Sequence, residues 1–204
     1  MKSTNNKCIL VGAFSEMVEL CELCNISIVG IIDNIQQGSY RNIPILGNDN
    51  NARVLFEKYG KYPLVLTPDS PHIRQKLANH YKAYGWTFCN VISPTAMVSN
   101  SAFLGNGIVI QSGCNISSNT IIGDFVKINT QSNVMHDCNI GAYTTIAPRA
   151  VVLGRINIGE LCYIGANSTI LPSLSIGSNS IVGAGAVVTK DISESRIVKG
   201  IPAK

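Results

Sequence analysis

From Ile92 to Val188 every sixth residue is Ile, Leu or Val, seventeen positions without an exception. Four places after each, from Ala96 to Ala186, stands a small or apolar residue and never a charged one. If aliphatics make up about a quarter of a typical chain, such a run would arise by chance on the order of once in ten billion. The register is therefore a structural repeat. An α-helix cannot use it, because 3.6 residues per turn would carry those side chains around the whole cylinder. A hexapeptide β-helix can: each hexad makes one short strand and a corner, three close a triangular coil of about 18 residues, and coils stack roughly 4.8 Å apart. The first aliphatic of each hexad points inward, the small residue four places on fits beside it, and polar pairs such as NS, GN and SG form the turns. The pattern predicts an all-β parallel β-helix of about five coils over 91–192, with a tail over 193–204.

Residues 1–90 carry a different rhythm. Short apolar runs predict strands over 7–12, 27–33, 43–47, 63–67 and 86–91. Between them lie a turn over 13–15 with a helical stretch after it to about Leu23, a second over 49–59, and another from Pro71 that spaces Ile73, Leu77, Tyr81 and Tyr84 along one face. Strand and helix in alternation indicate a small doubly wound, Rossmann-like α/β domain, which binds ligands at the carboxyl ends of its strands. A dinucleotide turn would read GxGxxG, whereas this chain has Gly12-Ala13-Phe14-Ser15-Glu16-Met17. Asp33, at the end of the second strand, is open to two readings, a hydrogen-bond partner for a ribose or base and a turn-forming aspartate.

Composition narrows the class. Charged residues are 14% of the chain against about 25% in a typical soluble domain, which excludes a polyelectrolyte or disordered tail. The net charge of +4 is scattered, so no nucleic-acid partner is expected. No apolar run approaches the roughly 18 residues that span a bilayer, so no membrane partner is expected either. The opening MKSTNNKCILVG lacks a signal-peptide layout, and a cytoplasmic location is expected. Seven cysteines, an odd number, read as reduced thiols. Cys21 and Cys24 form a CxxC without a second pair and read as helix packing, while Cys114, Cys138 and Cys162 fall on three different faces of the triangle as core filler.

Histidine is scarce: only His72, His80 and His136 exist, and only His136 lies in the repeat. A β-helix zinc site needs three histidines, so no metal is expected. His136 is the third residue of its hexad, outward at a corner, and Asp137 follows it. A carboxylate on one ring nitrogen fixes the tautomer and raises the basicity of the other, as a general base requires. A solvated turn histidine beside a solvated aspartate is the competing reading at this stage.

The hexads, HDCNIG, SIVGAGAVVTKDI and the terminal GIPAK, behind a βαβ unit with IIDN, resemble the bacterial sugar acetyltransferases that use acetyl-CoA. The resemblance spans nearly the whole chain. It lies toward the N-acetyltransferases of nucleotide-linked 4-amino-4,6-dideoxy sugars (bacillosamine and perosamine pathways) and the sialic-acid O-acetyltransferases. It implies a left-handed coil and a homotrimer. His136 would be the base and Asp137 its orienting group. Acetyl-CoA would lie in a groove between subunits at Gly154, Ala166, Ala184, Gly185, Lys190, Gly200 and Pro202, with Thr145 near the acyl group. The sugar nucleotide would meet Phe14, Ser15, Glu16, Asp33 and Asn34. The chain departs from the family at GAFSEM, where relatives carry a GxGGHA-like turn. It departs again at Thr145, where they often have a second histidine, and at Thr67-Pro68, where they have glycine. The resemblance implies an N-acetyltransferase for surface-glycan sugars. The alternatives are an O-acetyltransferase of the sialic-acid type and a non-catalytic β-helix scaffold with a ligand-sensing N-terminal domain.

Overall fold

The computed structural model describes residues 6–204. Residues 1–5, which include Lys2 and the beginning of the stretch read for a signal layout, lie outside the described residues. The N-terminal unit is a five-stranded sheet of β1 (Lys7–Val11), β2 (Ser27–Ile32), β3 (Ser39–Tyr40), β4 (Ile43–Gly47) and β5 (Leu64–Leu66). Their order is β3-β4-β2-β1-β5, parallel except for the β3–β4 pair. Helices α1 (Ser15–Leu23), α2 (Ala52–Tyr59) and α3 (Pro71–Lys82) accompany it. The chain runs from β1 outward through β2 to β4 and then returns to the opposite side of β1 for β5. The carboxyl ends of β1 and β5 therefore part at a switch point, where such sheets form a crevice.

The remainder is a left-handed β-helix of two-residue strands in three flat walls. The first wall holds seven strands from Val91–Ile92 to Ile197–Val198, the second six from Met97–Val98 to Val187–Val188, and the third five from Phe103–Leu104 to Ser175–Ile176. Pairing is parallel and in strict register, as in Asn115 with Asn133 and Asn133 with Val151. From Ile110 to Val188 every inward aliphatic is buried, and with the residues four places on they form one continuous core. Each such side chain contributes roughly 1.5–3 kcal/mol of apolar burial. Cys114, Cys138 and Cys162 belong to that core. Among the described residues, no helix is long and apolar enough to cross a membrane.

One regularity was not legible in the hexads. The fourth residue of each hexad, from Gly107 to Gly185, has a φ between +56° and +69°. This left-handed turn costs a non-glycine residue roughly 1–2 kcal/mol, and only three of the fourteen corners use glycine. Stacking between coils offsets the cost where the residues are bulky. Phe125 and Tyr143, both at this position, lie parallel with ring centroids 5.1 Å apart.

Four sequence expectations change. The helix expected over 49–59 begins as a 3-10 turn, Asp49–Asn51, capped by Asn48. The strand expected over 86–91 is a single bridge between Phe88 and Leu64. The tail over 193–204 contributes the strand Ile197–Val198, which closes the first wall against Ile181–Val182. On α3, the buried residues are Pro71, Arg74, Ala78 and Tyr81, while Ile73 and Tyr84 are exposed. The reason is polar: the coil presents corner carbonyls to this helix, and a guanidinium satisfies them. Arg74, 1% exposed, donates to the carbonyls of Phe125 (3.0 Å), Tyr143 and Thr144 on the coil and of Pro68 (2.9 Å) and Asp69 (2.8 Å) on its own unit. Burial lowers its pKa to about 10, against the pull of Asp69, so it stays charged at neutral pH. Arg74→Ala leaves several buried carbonyls without donors and should lower the unfolding free energy by about 3–5 kcal/mol, measured by denaturant titration.

Candidate active site

His136 stands at the corner between the second and third walls, where its strand, Asn133–Val134, ends. Its side chain is 44% exposed, and Nδ1 lies 2.8 Å from Asp137 Oδ2. Asp137 occupies the left-handed corner position at φ +57° and accepts from Asn119 Nδ2 at 3.1 Å through its other oxygen. Hydrogen bonds from His136 and Asn119 hold its carboxyl below the usual carboxylate range. With Nδ1 committed to a carboxylate as donor, Nε2 is left as the acceptor.

The space for that ring is made one coil further on. A Cβ on Gly154 would fall 2.6 Å from His136 Nε2 and 2.7 Å from Cε1, so glycine there lets the imidazole lie over the backbone. Cys138, two residues beyond His136, points inward; it is 1% exposed and burial raises its pKa, so it offers no nucleophile at this corner. Among the described residues no group of three metal-ligating side chains occurs.

Of the residues expected to hold acetyl-CoA, Gly154 and Lys190 share the corner of His136. Ala166, Ala184 and Gly185 lie on the neighbouring corner, between the first and second walls. Gly200 and Pro202 flank the last strand of the second wall, with Gly200 O accepting from Val187 N at 3.0 Å. Ala184 and Gly185 are exposed, and a Cβ at Gly185 would meet nothing within 4 Å. Among the described residues, the Ala166 and Ala184 amides donate to no carbonyl of the chain. Open space and free N–H donors suit a pantetheine arm, whose amides need close access to backbone. Thr145 is a correction: it is fully buried on the first wall, away from the corner of His136, and its hydroxyl donates to the Asp69 carbonyl at 2.7 Å. Its expected place beside the acyl group is taken by the packing of the N-terminal unit over that wall.

The expected sugar-nucleotide residues also separate. Asp33 and Asn34 line a cavity of about 330 Å³ at the switch point, with Gly12, Ile35, Pro68 and Lys76. Burial pushes the Asp33 carboxyl up, but N–H donors from Gln36, Ala13 and Ile35 outweigh it and hold the pKa low. Asp33 ties the turn through these bonds and also lines the cavity. Asn34 is braced by Asp49. Phe14, Ser15 and Glu16 do not line that cavity. Ser15 Oγ pairs with Tyr40 OH at 2.8 Å. Phe14 packs beneath Lys127 Nζ, and Glu16 reaches Gln111 Nε2 at 3.4 Å, so both face the coil. The Thr67 departure has a local cause: its hydroxyl donates to Val11 O at 2.8 Å and fills the space beside Gly12.

The sequence reading passed over Asp69, Lys127 and Asn129, which meet where the two units join. A signal was present: from Val91 to Val187, Lys127 is the one charged residue among the outward strand positions.

The model of the family described as bacterial transferase hexapeptide (six repeats) matches residues 119–154 and 155–190. GDP-perosamine N-acetyl transferase from Caulobacter crescentus, solved with CoA and GDP-perosamine, is 30% identical over 97% of this chain and 95% of its own, with a TM-score of 0.92. The chain belongs to the bacterial hexapeptide sugar acetyltransferases. The acetyltransferase domain of PglB from Neisseria gonorrhoeae, solved with acetyl coenzyme A, is 29% identical over 98% of this chain and 99% of its own, at a TM-score of 0.92. WeeI from Acinetobacter baumannii is 28% identical over 97% and 99%, at 0.84. No curated protein matches the sequence significantly. Within this family of sugar acetyltransferases the Gly154 gap yields a direct test. Gly154→Ala should displace the imidazole and lower kcat by about 10² or more while the melting temperature changes little, read by steady-state kinetics beside a thermal melt.

Proposed function

We propose that this chain transfers the acetyl group of acetyl-CoA to the amine of a nucleotide-linked 4-amino-4,6-dideoxy sugar, for the synthesis of surface glycans. The observation that carries this reading is the His136–Asp137 pair over Gly154, in a chain whose similar structures hold CoA with GDP-perosamine or acetyl coenzyme A. The sugar amine attacks the thioester carbonyl while His136 Nε2 takes its proton. The C–S bond then breaks and the thiolate of CoA receives that proton from the imidazolium. Asp137 holds the tautomer and stabilises the imidazolium as it forms. Transfer is direct, since Cys138 faces the core.

The working unit is a homotrimer. In one chain the base stands on one corner, whereas the free amides of Ala166 and Ala184 and the N-terminal unit lie at or beyond the next, with the second wall between. A groove between neighbouring copies brings the two corners together, and acetyl-CoA occupies it with Gly154, Lys190, Gly200 and Pro202 nearby. The nucleotide lies in the Asp33 cavity. Both substrates and seven free thiols suit a cytoplasmic enzyme.

A thiol-release assay with acetyl-CoA and a panel of GDP-, UDP- and dTDP-linked 4-amino-4,6-dideoxy sugars tests the reading, with free sialic acid as the hydroxyl acceptor. Turnover of an amino sugar and not of sialic acid is expected. His136→Ala should reduce it by about 10² to 10⁴ while the trimer persists in sedimentation. Turnover of sialic acid alone would move the assignment to O-acetylation. Asp137→Asn should lower kcat with little change in either KM. In the wild type, the support from Asp137 is present above the ordinary carboxylate pKa and is lost only as pH falls through its depressed value. The acid limb of the kcat profile is therefore not set by Asp137, and a profile taken on both proteins checks this.

A further inference from the structure

Away from His136, costly polar burial is concentrated where the loop after β5 meets the first wall. Lys127 is 1% exposed, and its ammonium donates to Thr67 O at 2.7 Å and to Asp69 Oδ1 at 2.9 Å. Asn129, 4% exposed, donates from Nδ2 to the same oxygen at 3.2 Å. Arg74 and Thr145 hold the Asp69 carbonyl, and Arg74 holds that of Pro68 as well. The Asp69 backbone is thus clamped by both units, while its carboxylate stays 48% exposed. Apolar side chains would serve as well or better if adhesion between the units were the only task.

Two acceptors at this place lack a donor. Asn129 Oδ1 is the buried side-chain atom without a hydrogen-bond partner among the described residues, and Asp69 Oδ2 accepts from no described residue. Of the two, the Asn129 oxygen is sealed and the Asp69 oxygen is open; an open acceptor with no donor selects a group that carries hydrogen, such as a hydroxyl or an ammonium, and rejects a phosphate. The location agrees with this. Pro68, the residue before Asp69, lines the Asp33 cavity, and Phe14, whose ring lies under Lys127, belongs to the turn that follows Gly12. Asp69 thus directly follows a residue of the cavity that the functional reading gives to the nucleotide.

We propose that Asp69 is the acceptor-sugar subsite, its Oδ2 taking a hydrogen bond from a hydroxyl or the ammonium of the sugar while Asn129 holds its other oxygen. The proposal rests on the functional reading above and adds a residue that reads the sugar rather than the nucleotide. Lys127 is a positioning residue that fixes the carboxylate.

The test compares the affinity for GDP-perosamine with that for GDP by titration calorimetry, using the UDP- or dTDP-linked pair instead if the panel shows that sugar to be the one turned over. Asp69→Asn alone leaves Lys127 buried without a counter-charge, so the variants are Asp69→Asn/Lys127→Met, which removes both charges, and Asn129→Leu, which removes the amide that holds the carboxylate. Affinity for the bare nucleotide and KM for acetyl-CoA should match the wild type. The extra affinity contributed by the sugar should fall about ten- to a hundred-fold in the double variant and less in Asn129→Leu. Folding is checked by circular dichroism, and Asn129→Leu alone decides the matter if the double variant does not fold. Wild-type discrimination between nucleotide sugar and nucleotide in the folded variants would overturn the subsite while leaving the functional reading intact. A wild type that turns over no member of the panel would overturn the functional reading first.

Discussion

The 18-residue repeat of the coils is the constraint on which every functional position depends. Because the strands of each wall pair in unbroken register from coil to coil, residues one coil apart stack directly, and a corner becomes a fixed ladder of side chains. His136 has room only because its ladder neighbour is Gly154. A slip of one residue would turn every inward aliphatic outward. The core that stabilises the prism and the geometry that positions His136 are therefore one property.

The second constraint is the junction between the units. A parallel coil with two-residue strands leaves carbonyls at its corners, and a neighbouring unit that covers them must bring donors. Arg74 and Lys127 do so at the expense of two buried cations, which only dense hydrogen bonding and Asp69 make tolerable. The outcome is a rigid connection between the carboxyl end of β5, where the sheet opens, and the first wall.

The distribution of chemistry over the prism also explains the division of labour. His136 and Asp137 occupy one corner, Ala166 and Ala184 the next, and the cavity with Asp33 the sheet edge beyond. No single copy gathers these parts, so assembly and catalysis are coupled in the functional reading. Each part is held by repeat geometry or by buried hydrogen bonds, which suits a reaction that depends on orienting an amine against a thioester.

The hexad register by itself determined the β-helix, its inward positions, the burial of Cys114, Cys138 and Cys162, and the outward corner of His136 with Asp137 beside it. A period of six fits a triangular coil of short strands, and side-chain direction follows from position in that coil. The α/β order of the first 90 residues was equally plain in its alternating apolar runs. Tertiary structure alone decided the rest. Arg74 lay among scattered basic residues, and Thr145 looked free for a ligand, until the docking of the units buried both. Phe14 and Glu16 sit next to Gly12 in sequence, yet the turn of the chain faces them to the coil while Asp33 faces the cavity. Local periodicity fixes which side of a strand a residue occupies, but what stands opposite depends on contacts between segments distant in sequence, and no local pattern encodes those.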